Sequence, residues 1–121
     1  MILRMHHAQI TIPQGEENGA RDFYCRLLGL KEIDRPEELS NRGGFWMEVA
    51  NQQIHVGTES GVDRALTKAH IAYEVVDLQL LKRKLENSGV KTKDGESIPG
   101  FDRMECRDPF GNRVEFLAKR N

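Results

Sequence analysis

The sequence predicts an α+β fold built from two similar halves, each with the order strand, helix, strand, strand, strand. Three observations support this prediction: short segments of alternating apolar and polar residues, one helical repeat of apolar residues in each half, and turns rich in glycine and proline between them. The 121 residues suit one domain with a hydrophobic core. We expect a single domain, 1–121, made of two modules, 1–59 and 68–121, with a linker at 60–67.

The first module is predicted to begin with a strand at 7–12, where Ala, Ile and Ile alternate with polar residues. Apolar residues then recur at helical spacing over 16–28, and Gly29 is a typical residue just beyond a helix end. After a short strand at 30–33, a polar loop at 34–44 contains Pro36 and a pair of glycines. Two further alternating segments, 45–49 and 53–56, complete the module.

The second module repeats this order. Residues 70–75 alternate as the first strand does, and Asp77 is suited to cap a helix that ends near Gly89. Further strands are predicted at 90–92, 101–107 and 113–117, with a loop at 94–100.

A turn sequence precedes the last strand. In Asp-Pro-Phe-Gly-Asn, residues 108–112, the proline presets φ for a turn, and the glycine and asparagine tolerate positive φ. Beyond the turn, Val114 and Phe116 alternate with polar positions, which leaves the carboxylate of Glu115 on the opposite face of the strand. The segment is therefore typical of a strand that presents a carboxylate beside a core.

The two halves match in register. The matched pairs are His7 with His70, 63 residues apart, and 29–31 with 89–91 and 54–56 with 114–116, both 60 residues apart. Three matches, each on the same type of element, indicate an internal repeat. The change in spacing predicts three additional residues between the first strand and the helix end of the first module.

Four residues with metal-ligating side chains share the face opposite the apolar positions: His7, His55, His70 and Glu115. If the helices cover one side of a curved sheet, all four project to the other side. A pseudo-two-fold relation between the halves would pair His7 with His70 and His55 with Glu115. Three imidazoles and one carboxylate suit Zn, Ni, Co, Mn or Fe(II). A lone strand histidine is more often an ordinary polar residue, but the shared face and register favour a metal site.

Three residues on the same face are candidates for substrate binding. Trp46 either stacks on a flat substrate or belongs to the core. Arg103 pairs either with an anionic substrate group or with Glu105, and Glu105 acts either as a base or as half of a salt bridge. His6, by contrast, is expected on the side opposite His7.

Composition excludes several classes of partner. With 18 basic and 19 acidic residues the net charge is −1, so the chain lacks the basic field of proteins that bind nucleic acid or anionic membranes. No apolar run approaches the roughly 20 residues that a transmembrane helix needs. Cys25 and Cys106 have no CxxC spacing, which favours reduced thiols. We therefore expect an intracellular, cytoplasmic protein.

The motifs resemble those of the vicinal oxygen chelate superfamily, which includes glyoxalases, fosfomycin-resistance proteins and extradiol dioxygenases. The resemblance rests on residues 7–12 and 22–30, the strand that opens at His70, and the segment from Asp108 to Glu115. It implies two βαβββ modules whose curved mixed sheets form a cup, the glyoxalase/bleomycin resistance/dioxygenase fold. It also implies a divalent metal held by residues of the first and last strands, here His7, His55, His70 and Glu115.

One residue departs from the glyoxalase pattern. Glyoxalase-like members typically carry a glutamate where this chain has His55, so that two carboxylates shuttle a proton. Fosfomycin-transferase and dioxygenase members use two histidines and one glutamate, which His7, His70 and Glu115 would satisfy. His55 is then either a fourth ligand or a hydrogen-bond donor behind the ligands.

The resemblance implies a metal-dependent enzyme, a lyase or isomerase or else a dioxygenase, that chelates a small vicinal-oxygen metabolite through its metal. Glu115 is the catalytic candidate as well as a ligand. The alternative is a metal-free protein of bleomycin-resistance type, which binds an antibiotic between two subunits. In either class a homodimer is expected.

Overall fold

The computed structural model describes all residues, Met1–Asn121, and the chain divides into two compact units, Met1–Val62 and Asp63–Asn121. Each unit contains one open four-stranded mixed sheet and one principal helical segment, in the order strand, helix, strand, strand, strand. The predicted α+β class and order of elements are therefore confirmed. No helix is long and apolar enough to cross a membrane.

The first unit has its four strands in the spatial order β1-β4-β3-β2, with β1 parallel to β4 and the other pairs antiparallel. Its elements are β1 (His7–Ile12), α1 (Glu17–Ala20), a π-helical segment (Arg21–Leu27), β2 (Lys31–Ile33), a 3₁₀ turn (Glu37–Leu39), β3 (Phe45–Val49) and β4 (Gln52–Thr58). One face of the sheet is apolar, and Ile12, Met47, Ile54 and Val56 are almost completely buried. The alternation in the sequence predicted this face correctly.

The helical segment of the first unit widens after its first turn. Leu28 N donates to Phe23 O at 3.0 Å and Leu30 N donates to Tyr24 O at 2.9 Å, which are longer-range bonds than those of an α-helix. The neighbouring rings of Phe23 and Tyr24 are both buried, at 4% and 1% exposure. The predicted extent of 16–28 is confirmed, whereas the π-helical bonding was not predicted, since apolar spacing does not reveal it.

The second unit repeats the topology, with the spatial order β5-β8-β7-β6. Its elements are a 3₁₀ turn (Arg64–Leu66), β5 (His70–Glu74), α2 (Leu78–Asn87), β6 (Thr92–Asp94), β7 (Phe101–Arg107) and β8 (Arg113–Lys119). Asp77 caps α2 as predicted, because its Oδ1 accepts from Leu80 N at 3.0 Å. The strand predicted at 90–92 begins only at Thr92, since Val90 N still donates to Leu85 O at 2.9 Å.

The strand register confirms the internal repeat. In the first unit His7 lies opposite Gln53, and in the second unit His70 lies opposite Arg113. Two residues further on, Gln9 lies opposite His55 and Ala72 lies opposite Glu115. His7 and His70 therefore occupy equivalent positions on the first strands, and His55 and Glu115 occupy equivalent positions on the last.

The turn before β8 is held by the side chain of Asp108, which is only 4% exposed. Its Oδ1 accepts from Phe110 N and from Asn112 N, both at 2.9 Å, and its Oδ2 accepts from Asn112 Nδ2 at 2.9 Å. Gly111 has a φ of +99°, as the sequence predicted, whereas Asn112 keeps a negative φ. The carboxylate thus fixes the direction in which β8, with Glu115, leaves the turn.

Candidate functional site

A cluster of five charged or titratable side chains lies on the open face of the second unit: His70, Arg103, Glu105, Arg113 and Glu115. The alternate residues of the same strands, among them Met104, Val114 and Phe116, are buried on the other face. The period of two along each strand separates these sets. Four of these residues, His70, Arg103, Glu105 and Glu115, were predicted as site residues from the sequence. The structure adds Arg113.

Two carboxylates face each other across this sheet, because Glu105 of β7 lies directly opposite Glu115 of β8. Like charges at directly opposed positions destabilise a sheet. Each is neutralised by a diagonal arginine: Arg103 Nη2 lies 2.9 Å from Glu115 Oε1, and Arg113 Nε lies 2.7 Å from Glu105 Oε2. The proposed pairing of Arg103 with Glu105 is therefore wrong, since Arg103 reaches across to the neighbouring strand.

Glu115 is 6% exposed, yet its environment favours the ionised form. The hydrogen bond from Arg103 lowers the pKa of Glu115, against the opposing effect of burial, and the charges of Arg103, His70 and Arg113 act in the same direction. The same hydrogen bond raises the pKa of Arg103 above its usual value. Glu115 is thus a carboxylate, and an acceptor only, at neutral pH.

The imidazole of His70 is oriented by a backbone carbonyl. Its Nδ1 lies 2.7 Å from Lys68 O, and its Nε2 lies 3.3 Å from Glu115 Oε1. A carbonyl oxygen only accepts hydrogen bonds, so Nδ1 carries the hydrogen and a neutral ring presents the lone pair of Nε2 towards Glu115. A proton on Nε2 or a bound cation would make this contact favourable, in addition to the hydrogen bond that Oε1 accepts from Arg103.

The distance between these two atoms fits a shared metal ion. Two donors with bonds of about 2.1 Å at angles near those of a tetrahedral or octahedral site lie about 3.0–3.4 Å apart. The 3.3 Å between His70 Nε2 and Glu115 Oε1 falls in this range. A carbonyl that fixes the far nitrogen of a ligating histidine is also typical of metal sites. The spacing of these two donors is therefore compatible with a shared divalent metal.

The open face of the first unit carries a stack of three rings. The centroids of His7 and His55 lie 4.0 Å apart at 17°, and those of Trp46 and His55 lie 3.9 Å apart at 2°. His55 Nε2 lies 2.9 Å from Gln53 Oε1, so this nitrogen carries the hydrogen and Nδ1 is left with the lone pair. Trp46 is not a simple core residue, and only part of its indole is available for stacking on a substrate, because His55 covers one face of the ring.

His55 is neutral at physiological pH. Burial is the largest cause that lowers its pKa to about 4, and the neighbouring imidazoles of His7 and His6 act in the same direction. A metal binds the neutral imidazole, so His55 is in the binding form at neutral pH. The expectation that His6 points away from His7 is wrong, since their Nδ1 atoms lie 3.1 Å apart. β1 begins only at His7, so strand alternation does not govern His6.

Each unit therefore brings one pair of predicted ligands together: His7 with His55, and His70 with Glu115. No group of three or more His, Cys, Asp and Glu side chains lies in a metal-binding arrangement. The complete four-residue site stays a prediction, as do the substrate-binding roles of Trp46, Arg103 and Glu105.

Each unit also contains a cavity, and only that of the first unit is lined by a predicted ligand, His55. A cavity of about 390 Å³ in the second unit is lined by Glu105, Cys106, Thr92 and four cationic residues, namely Lys91, Lys93, Arg107 and Arg113. A cavity of about 290 Å³ in the first unit is lined by Trp46, His55 and Gln9 together with residues of the loop before β3. Arg42 of that loop was not among the residues predicted from the sequence. Its only sequence signal was a cationic residue directly before two glycines.

Comparison with known proteins places the chain in a family. The model of the Glyoxalase/Bleomycin resistance protein/Dioxygenase superfamily matches residues 4–116. The chain belongs to this superfamily. The resemblance to the vicinal oxygen chelate proteins is thereby confirmed. A search of curated proteins found no match.

Solved structures agree with the assignment. A crystal structure of a protein assigned to the glyoxalase family from Bacillus anthracis is 38% identical, with a TM-score of 0.90, and the match covers 99% of this chain and 98% of that one. A mutant of the genomically encoded fosfomycin resistance protein FosX from Listeria monocytogenes, complexed with Mn(II) and 1S,2S-dihydroxypropylphosphonic acid, is 17% identical, with a TM-score of 0.82 and coverage of 99% and 95%. An integron cassette protein from a Halifax Harbour sewage outfall metagenome is 20% identical, with a TM-score of 0.76 and coverage of 97% and 99%.

Proposed function

We propose that this chain is a metal-dependent enzyme of the superfamily, which acts on a small metabolite with two vicinal oxygens. One observation carries the proposal: His70 Nε2 lies 3.3 Å from Glu115 Oε1 while Lys68 O accepts from the other ring nitrogen. The Mn(II) complex of FosX, a protein of the same fold, is compatible with it.

The proposed ligands are His7, His55, His70 and Glu115. His70 would bind through Nε2, and His55 would bind through Nδ1 because its Nε2 donates to Gln53. This nitrogen-rich set with one carboxylate suits Zn, Ni, Co, Mn or Fe(II). When bound, a divalent ion would act as a Lewis acid that orients the two substrate oxygens and acidifies the groups attached to them.

Glu115 is the proposed proton acceptor of the reaction. Arg103 and His70 both contact its Oε1, so Oε2 is the oxygen left to take a proton from the substrate. An acidified substrate does not require a base of raised pKa, which agrees with the lowered pKa of this carboxyl. Arg103 would hold the carboxylate ionised and then pair with an acidic group of the substrate. Glu105, fixed by Arg113 at 2.7 Å, and Trp46 would help to position the substrate.

Metal analysis tests this proposal. Protein purified without a histidine tag, then reconstituted with Mn(II), Zn(II), Ni(II) or Fe(II), should reach a constant metal content. His70→Ala and Glu115→Gln should each abolish this content. Glu105→Gln is the matched control, since Glu105 lies directly opposite Glu115 and also pairs with an arginine, but is not a proposed ligand. A substoichiometric content that does not rise on reconstitution would contradict the proposal.

A metal-free binding protein of bleomycin-resistance type is the second candidate. The observation that favours it is the ion pair of Arg103 with Glu115 at 2.9 Å, which satisfies the carboxylate without a metal. Arg103→Gln distinguishes the two candidates. For a metalloenzyme the variant should keep or increase the metal content, because Glu115 Oε1 is released. For a metal-free protein it should bind no metal.

We also propose that the protein acts in the cytoplasm as a homodimer. Both cysteines, Cys25 and Cys106, are free thiols, which agrees with a reducing compartment. Pairing of modules about a two-fold axis would be the simplest association. Light scattering coupled to size-exclusion chromatography should give the mass of two chains, and a mass of one chain would contradict the dimer.

A further inference from the structure

The first unit contains a small cavity with an excess of positive charge. Its volume is about 290 Å³, and its lining includes Gln9, Arg35, Arg42, Trp46 and His55. Two arginines line it, and no aspartate or glutamate does. The volume lies just below the range of about 300–1,000 Å³ for ligand pockets, which favours a ligand of few atoms. The cavity is therefore suited to a small anionic molecule.

The two arginines have different roles. Arg35 donates to Gly43 O at 3.1 Å, to Ser40 O at 3.4 Å and to Arg42 O, so it ties together the backbone of the loop. The side chain of Arg42 makes no hydrogen bond or ion pair. The guanidinium of Arg35 thus holds the loop together, whereas that of Arg42 is available to bind a ligand.

Close packing fixes the wall that carries Arg42. Gly44 has a φ of +94°, and a Cβ built there would lie under 3.0 Å from the carbonyl oxygen of Val56. Its N–H donates to Glu17 Oε2 at 3.2 Å. A Cβ on Gly43 would lie 2.6 Å from Thr58 Oγ1. These glycines bring the loop against β4, so the cavity is formed before any ligand enters.

An aromatic wall completes the cavity. The indole of Trp46 is fixed by its stacking on His55 at 3.9 Å, and the amide of Gln9 adds a polar group. A fixed aromatic surface favours a flat apolar body, and an unpaired guanidinium favours a carboxylate through charge-assisted hydrogen bonds.

We propose that this cavity binds a small organic acid, with its carboxylate on Arg42 and its unsaturated body against Trp46. The inference deepens the proposed function, on which it rests, because the candidate ligand His55 lines the same cavity. It assigns the substrate to the class of small unsaturated carboxylic acids and makes Arg42 a specificity-determining residue.

Trp46 is the only tryptophan of the chain, so intrinsic fluorescence reports directly on this cavity. Benzoate and its uncharged analogue benzamide are titrated into protein freed of metal with EDTA at neutral pH. Benzoate should change the emission of Trp46 saturably. Benzamide should bind at least about tenfold more weakly, because it cannot form the ionic hydrogen bonds.

Two arginine variants complete the experiment. Arg42→Gln should reduce the affinity for benzoate about tenfold, to that for benzamide. Arg83→Gln, which removes the same charge from an exposed position of α2 in the other unit, should leave it unchanged. Circular dichroism and urea unfolding verify that both variants fold. Absence of saturation, equal affinities for benzoate and benzamide, or no effect of Arg42→Gln would each overturn the inference.

The test separates this inference from the proposed function. The titration uses metal-free protein, whereas the proposed function is judged by metal content. If benzoate binds through Arg42 but no metal is taken up, only the proposed metalloenzyme fails. If metal is taken up but benzoate does not bind, only the assignment of the cavity fails.

Discussion

His70 Nε2 lies 3.3 Å from Glu115 Oε1, across two neighbouring strands of one sheet. The same oxygen accepts from Arg103 Nη2 at 2.9 Å. One carboxylate oxygen thus faces a permanent cation on one side and a titratable imidazole on the other. This arrangement stabilises the ionised form of Glu115. The ionisation of this candidate metal ligand therefore also contributes to the stability of the fold.

The first prediction concerns Glu115 and acid. Its pKa lies below the ordinary value of 4.5 in the folded state, so its stabilising contribution is complete above that pH and is lost as the pH falls through the lowered folded pKa. Glu115→Gln should be less stable than the parent at neutral pH and should lose less stability on acidification below 4.5. Urea midpoints measured against pH test this, with Glu38→Gln, an exposed site, as control. Parallel profiles for parent and Glu115→Gln would contradict it.

The second prediction concerns the titration of His55. In NMR experiments its imidazole should titrate near pH 4, because burial and the charges of His7 and His6 disfavour the imidazolium. His7→Ala should raise this midpoint towards the ordinary 6.5, since it removes a charge and uncovers the ring. The pKa of His55 is lower in the folded than in the unfolded state. Its contribution to the free energy of unfolding is therefore complete above about pH 6.5 and is lost as the pH falls towards 4. A midpoint near 6.5 in the parent protein would refute the prediction.

Alternation in the sequence predicted which side chains share a face, but not which of them touch. One face of each sheet is buried, so the period of two assigned Val114 to the core and Glu115 to the open face correctly. Partners depend on the register between strands. That Glu105 lies opposite Glu115, and that Arg103 therefore pairs with Glu115, becomes visible only once β7 and β8 are paired.

Contacts made by loops could not be predicted from the sequence, for a different reason. The position of Arg42 depends on a close approach between Gly44 and the backbone of Val56, which lies beside Gly44 only because β3 pairs with β4. No local pattern encodes such a contact. By contrast, the turn at 108–112 was predictable, since its proline and glycine act on their own backbone and its aspartate accepts from residues two and four positions away.

The third prediction concerns this turn. Asp108→Ala should destabilise the protein by about 2–3 kcal/mol, because it leaves the N–H groups of Phe110 and Asn112 without their buried carboxylate acceptor. It should also reduce the metal content, since the turn sets the direction of the strand that carries Glu115. Urea unfolding and metal analysis measure the two effects. Asp34→Ala, an exposed site, is the control, and equal midpoints for the two variants would count against the role of the turn.

The fourth prediction separates backbone strain from a steric clash in the loop that carries Arg42. Gly44 and Gly61 both have positive φ, at +94° and +76°, but only a Cβ on Gly44 would meet neighbouring atoms. Gly61→Ala should therefore cost about 1 kcal/mol from strain alone, whereas Gly44→Ala should cost about 2–4 kcal/mol because the Val56 carbonyl must also move.

Gly44→Ala should further displace the wall of the cavity. The emission of Trp46 should change in the folded variant, and benzoate should bind more weakly, while Gly61→Ala should match the parent in both respects. Urea unfolding and fluorescence titration of the two variants measure these effects side by side. If both substitutions cost the same stability and leave benzoate binding intact, the approach of the loop to β4 does not form the cavity.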